Sequence, residues 1–186
     1  MAEDWLVGAD RADRARERLY EIAAELIARD GLDGLDLDEL ARRAHCSRAT
    51  LYRHTGGKRR VQEAVLIRAS TAVVAGIRDT VAARRGRERA RLTISLAVEG
   101  IRADPITRQF LRSRNALRQL GLALDTPFVP RLAAELIGLA PDDTVGPEFA
   151  IRSILALVLW PPARPELVES LVDAVVAGLR IPTEQS

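Results

Sequence analysis

Seven cations fall between Leu40 and Arg60: Arg42, Arg43, Arg48, Arg53, Lys58, Arg59 and Arg60, with no acidic residue among them. Ser47, Thr50, Tyr52 and His54 are interleaved with them. A DNA duplex carries one phosphate charge per ~1.7 Å of axis, so a compact cationic surface attracts it whatever the base sequence. Hydroxyl and imidazole groups hold phosphates and reach base edges in a major groove wide enough to admit a helix. The net charge of +2 does not announce such a partner, but the distribution does. Residues 1–39 carry twelve acids and five arginines, whereas residues 40–60 carry only cations. Basicity focused on one short segment is the footprint a nucleic acid requires.

Two short helices joined by a tight turn would position these groups. Asp36 suits the N-cap of the first, about Leu37 to Ala44, and Glu39 three residues on completes a capping-box pattern. His45-Cys46-Ser47 is the turn. Ser47 then caps a second helix from Arg48 to about His54, which Gly56-Gly57 ends.

Residues 21–66 resemble the DNA-binding domain of the TetR family of bacterial transcriptional repressors. The resemblance rests on Leu40-Ala41, Ala44, Ser47, Thr50-Leu51-Tyr52, His54 and Lys58, and covers about a quarter of the chain. By position it implies base readout through Arg48, Ala49, Thr50 and Arg53, and phosphate contacts through Ser47, Tyr52, His54 and Lys58. Three residues depart from the family pattern. His45 replaces a usual Gly, Cys46 a small aliphatic and Thr55 a Phe. His tolerates positive φ better than most residues, so the turn survives. Thr55 is expected to weaken packing of the second helix.

The chain reads as all-α, with a three-helix DNA-binding domain and a larger helical ligand-binding and dimerisation domain. Residues 1–9 are expected as a flexible arm, 10–57 as the helix-turn-helix domain and 58–186 as the C-terminal domain. A backing helix is expected from about Ala12 to Arg29. Its stripe of Leu19, Ile22, Ala23, Leu26 and Ile27 has helical spacing. A long helix should run from Lys58 to about Arg84. Six further segments follow: 88–103, 105–114, 116–124, 127–139, 147–160 and 165–179, several with Pro at or near the first helical position.

The last two segments carry a separate signal. Residues 149–160 are apolar almost all round, and 166–179 carry a wide apolar stripe, so one side of the pair asks for a partner. Leu155, Leu159, Leu167, Leu171 and Val175 are the expected homodimer interface, a four-helix bundle across a two-fold axis. Paired heads bind half-sites about one helical turn, or multiples of it, apart. The resemblance further implies a C-terminal pocket whose small-molecule effector releases DNA. Leu96, Phe110, Leu117, Leu120, Leu124 and Ile154 are its candidate lining, although plain core is the simpler reading of each taken singly. Arg108, Arg112, Arg114 and Arg118 would favour an anionic effector with an apolar body, such as an acyl acid or acyl thioester, but a solvated basic face explains them more simply.

After Arg60 the chain has no His, Cys, Lys or Tyr, which removes the usual bases and nucleophiles. No phosphate-cradling glycine loop or dinucleotide fingerprint occurs. No enzyme activity, cofactor or metal site is expected. The single cysteine excludes an internal disulfide. No apolar run spans a bilayer and the start is acidic where a secretory start is basic, so a cytoplasmic protein without membrane contact is expected. The rival reading is a helical dimer that binds a hydrophobic small molecule without sequence-specific DNA binding.

Overall fold

The computed structural model describes residues 4–124 and 126–182, with side chains over 13–121 and 126–182. Helices follow in the order α1 (Asp4–Asp30), α2 (Leu37–Arg43), α3 (Arg48–Thr55), α4 (Lys58–Val81), α5 (Gly86–Ala103), α6 (Pro105–Leu111), α7 (Ala116–Leu124), α8 (Phe128–Ile137), α9 (Val145–Leu159) and α10 (Leu167–Gly178). No strand occurs among the described residues. They form two compact units, one up to Ser70 with Pro105–Arg114, the other Thr71–Asp104 with the described residues from Asn115.

This division differs from the expected boundary at residue 57. The break falls inside α4, so one uninterrupted helix contributes to both units. α6 returns to the first unit, because Ile106 and Phe110 are buried and the helix packs on α1. Gln109 Nε2 donates to the Ala28 carbonyl at 3.2 Å, and the Arg114 amide donates to Asp33 Oδ2 at 3.2 Å. The flexible arm is also shortened: residues 4–9 belong to α1, and residues 1–3 lie outside the described residues.

The first unit is built on the α1 stripe. Leu19, Ile22, Ala23, Leu26 and Ile27 are all buried, and α1 packs on both α2 and α3. Leu40 and Leu51 are 0% exposed. Burying a leucine side chain contributes about 1.5–3 kcal/mol, so these two short helices are held by their inward residues more than by intrinsic propensity. Val61 and Val65 bring the start of α4 into the same buried set.

The second unit has its core where α5, α8, α9 and α10 meet. Ile94 and Val98, Ile137, Ala150 and Ile154, and Val172 and Val176 form one buried cluster. Ile77 and Val81 of α4 form a second cluster with Leu136. A helix end leaves carbonyls without intrahelical donors. The last turn of α8 is served from α5: Arg89 Nε and Thr93 Oγ1 each donate to the Leu136 carbonyl at 2.9 Å.

Candidate nucleic-acid interface

Local chemistry sets the frame of the site. Asp36 Oδ1 accepts from the Asp38 amide at 2.8 Å and caps α2. The return arm of the expected capping box does not form. Glu39 instead binds Arg42 through both carboxylate oxygens, at 2.9 and 2.7 Å, because an opposite charge one turn away offers more than an exposed amide. His45 takes φ 52°, the left-handed turn its place in the motif demands. The Cys46 amide donates to the Ala41 carbonyl at 3.0 Å and closes that turn.

Ser47 caps α3. Its Oγ accepts from the Thr50 amide at 3.1 Å and lies 2.9 Å from Thr50 Oγ1. At the other end Gly56 sits at φ 74°, and an added Cβ would lie 2.7 Å from Arg60 Cδ. Gly57 is also left-handed, φ 97°, and faces the Tyr52 ring. Thr55 is buried, yet its hydroxyl is satisfied: Oγ1 donates to the Leu51 carbonyl at 2.9 Å and lies 3.4 Å from the Gly57 amide. A threonine where the resembled pattern has Phe thus ties the end of α3 by hydrogen bonds instead of by ring packing.

With Leu51 and Thr55 turned inward, α3 presents Arg48, Ala49, Tyr52 and Arg53 to solvent. Ser47 and Lys58 are exposed at its two ends, and Thr50 and His54 are half-buried. All eight residues expected to meet DNA are therefore gathered on and beside one short helix. Tertiary structure changes their charge environment. Four of the seven cations meet carboxylates: Arg42 with Glu39, Arg43 with Glu25, Arg48 with Asp38 at 3.0 Å, and Arg59 with Glu63 at 3.8 Å. Lys58 Nζ donates to the Asp33 carbonyl at 2.8 Å. Arg53 and Arg60 have no carboxylate partner among the described residues, and both line a cleft with Arg16, Tyr20 and His54.

Asp38 and Asp33 are the site residues that sequence reasoning missed. Asp38 lies ten positions before Arg48 and Asp33 twenty-five before Lys58, spacings that carry no periodic signal.

The expected effector lining is not gathered in the same way. Phe110 is buried in the first unit. Leu96 packs with the Ile77 cluster, Ile154 belongs to the other core cluster, Leu120 is half-buried and Leu117 is 71% exposed. The side chain of Leu124 lies outside the described residues. A cavity of about 620 Å³ in the second unit is lined by Ala140, Asp143, Val145, Phe149, Gly178 and Arg180 among others, and by none of those six. Arg108, Arg112, Arg114 and Arg118 are all exposed. Of the expected interface, Leu171 is 40% exposed and Leu155, Leu159 and Leu167 are half-buried. Val175 is a correction, since it is 9% exposed and part of the second unit's core. No helix among the described residues is long and apolar enough to cross a membrane.

A capped helix-turn-helix on a backing helix, followed by an all-helical second unit, defines a DNA-binding transcription regulator. Residues 19–65 match the family model for bacterial regulatory proteins, tetR family. Two uncharacterized HTH-type transcriptional regulators of Mycobacterium tuberculosis, from strains CDC 1551 / Oshkosh and H37Rv, are each 25% identical over 167 residues. The match covers 85% of this chain and 81% of each relative. Solved structures share the fold. A TetR-family transcriptional regulator from Mesorhizobium loti superposes with TM-score 0.62 at 17% identity, covering 90% of this chain and 96% of that one. The TetR family repressor AlkX from a Dietzia strain gives TM-score 0.57 at 17% identity, covering 88% and 94%.

Proposed function

We propose that this regulator is a homodimeric repressor that grips an operator with paired α3 helices and lets go when a small molecule occupies its C-terminal domain. The observation that carries the DNA part is the exposed face of α3, where Arg48, Ala49, Tyr52 and Arg53 stand over buried Leu51 and Thr55. Arg48, Ala49, Thr50 and Arg53 read base edges. Ser47, Tyr52, His54 and Lys58 hold phosphates and set the register. Repression follows from occupancy of the operator. The effector is hydrophobic or acyl-type, in keeping with the aliphatic side chains that make up the two buried clusters of the second unit.

The division of labour is tested by fluorescence anisotropy on the duplex upstream of the protein's own gene and on random duplex. Lys58→Ala is expected to weaken both and to lower the salt slope by about one. Arg48→Ala is expected to lose about 1–3 kcal/mol on the specific duplex only. Equal losses on both duplexes from both variants would refute the assignment. For the effector, a thermal-shift screen of acyl acids against neutral hydrophobes is expected to show stabilisation by the acyl set. Stabilisation by the neutral set alone removes the acyl reading.

A further inference from the structure

We propose that Trp160 of one protomer seats in the cavity at the far end of its partner's α9–α10 face, so that two identical knob-and-hole contacts close the dimer. The proposal rests on the homodimer reading above and adds how the two faces meet.

α9 and α10 form a hairpin whose far ends touch, since a Cβ added to Gly178 would lie 3.1 Å from Phe149 Cε1. Along α9, Phe149, Ser153, Ala156 and Trp160 recur at i, i+4, i+7 and i+11, one narrow stripe of a 3.6-residue helix. Leu167, Leu171, Ala174 and Gly178 repeat the same spacing on α10. Both stripes lie to one side of the inward residues, about a quarter to a third of a turn from Ala150, Ile154 and Leu157 of α9 and from Val172, Val175 and Val176 of α10. This outward face is uneven. At the loop end Trp160 is 73% exposed, a large apolar knob. At the other end is the cavity of about 620 Å³, walled by Val145, Phe149 and Gly178, with Asp142, Asp143 and Arg180 also lining it. Ser153, Ala156 and Ala174 between them are small enough for two backbones to come close.

The occupant follows from symmetry. Knob and hole stand eleven residues apart on α9, about 16 Å at 1.5 Å per residue. A two-fold axis through the small middle exchanges the ends of the face, because a surface that meets itself across such an axis places residue i on j and j on i. Each Trp160 is thereby carried onto the other protomer's cavity. Charge agrees with this exchange. Arg164 is exposed four residues beyond the knob, and exposed Asp142 stands at the hole. The exchange therefore brings a cation to a rim where two carboxylates, Asp142 and Asp143, outnumber one cation, Arg180. Asp143 caps α9 with Oδ1, which accepts from the Val145 and Gly146 amides at 3.0 and 2.8 Å.

The test uses the full chain in a Cys46→Ser background. Proteins carrying Trp160→Cys and Val145→Cys are oxidised singly and after co-expression, then run without reductant. A cross-linked dimer is expected from the co-expressed pair and from neither variant alone. Self-linking of the Trp160→Cys protein, or a dimer in sedimentation with no mixed cross-link, overturns the proposal while leaving the dimer. Trp160→Ala, a change at an exposed side chain, is expected to raise the dimer dissociation constant on the order of tenfold or more. If Leu171→Glu leaves the dimer intact, the interface lies elsewhere and the parent reading falls with this one.

Discussion

Arg48 has two claims on it. It is the first residue of α3 and faces solvent, yet its Nε is held at 3.0 Å by Asp38 of α2. Both groups are more than half exposed, and such pairs contribute only about 0.2–1 kcal/mol, so a guanine edge or a phosphate can displace the carboxylate. The carboxylate also opposes the approach of any duplex. Asp38→Asn is therefore expected to tighten binding to random DNA by about two- to fivefold, most at low salt, as read by anisotropy titrations at two ionic strengths. Unchanged random-duplex affinity would show that the pair has no part in DNA approach. The cations of this region were legible in sequence; the partners of Arg43 and Arg48 were not, because Glu25 and Asp38 reach them only through the packing of α1 on α2 and of α2 on α3.

At the scale of elements, α1 and α4 are tied at the surface. Arg68 of α4 binds Glu17 of α1 and lies 4.5 Å above the Tyr20 ring centre. The hydrogen bond from Arg68 holds the Glu17 carboxyl below its ordinary range, opposed by desolvation and helped by the charges of Arg68 and Arg16. A carboxylate with a lowered folded-state pKa adds stability above its unfolded pKa and loses it as pH falls through the folded one. Glu17→Gln is accordingly expected to melt earlier than the parent at neutral pH, with the gap closing as the buffer is taken down through the carboxylate range. A gap that persists in acid would assign the loss to packing. In the second unit α4 and α5 meet at Gly100, where an added Cβ would sit 2.9 Å from Val73 Cγ1. Val73 is β-branched and cannot swing aside cheaply. Gly100→Leu should cost about 1–3 kcal/mol in urea unfolding, overpacking outweighing the ~1 kcal/mol gained in helix propensity.

For the whole molecule, the question is how two heads act as one. α4 runs unbroken from Lys58 beside the α3 face to Val81 in the second unit's core, so a single helix shares both bodies. Dimerisation through α9 and α10 would duplicate the head. Leu171→Glu, at a 40% exposed position, is expected to leave the fold intact by circular dichroism. The same variant should abolish tight binding to a two-half-site duplex while retaining weak, salt-sensitive binding to one half-site. Retained tight binding by a monomeric variant would break the link between dimer and operator.

The sequence by itself determined the caps at Asp36 and Ser47, the left-handed turn at His45, the backing stripe of α1 and the helical succession beyond it. These are short-range matters: a cap or a stripe is decided within one or two turns of chain. Only the tertiary structure decided that Arg48 meets Asp38, that Lys58 leans on Asp33 and that α6 joins the first unit. It also turned Val175 inward and Leu117 outward. Charges pair with whatever stands within a few ångströms, and an apolar stripe wider than one neighbour is divided by packing between core and open face. Neither choice is written in the spacing of the residues that make it.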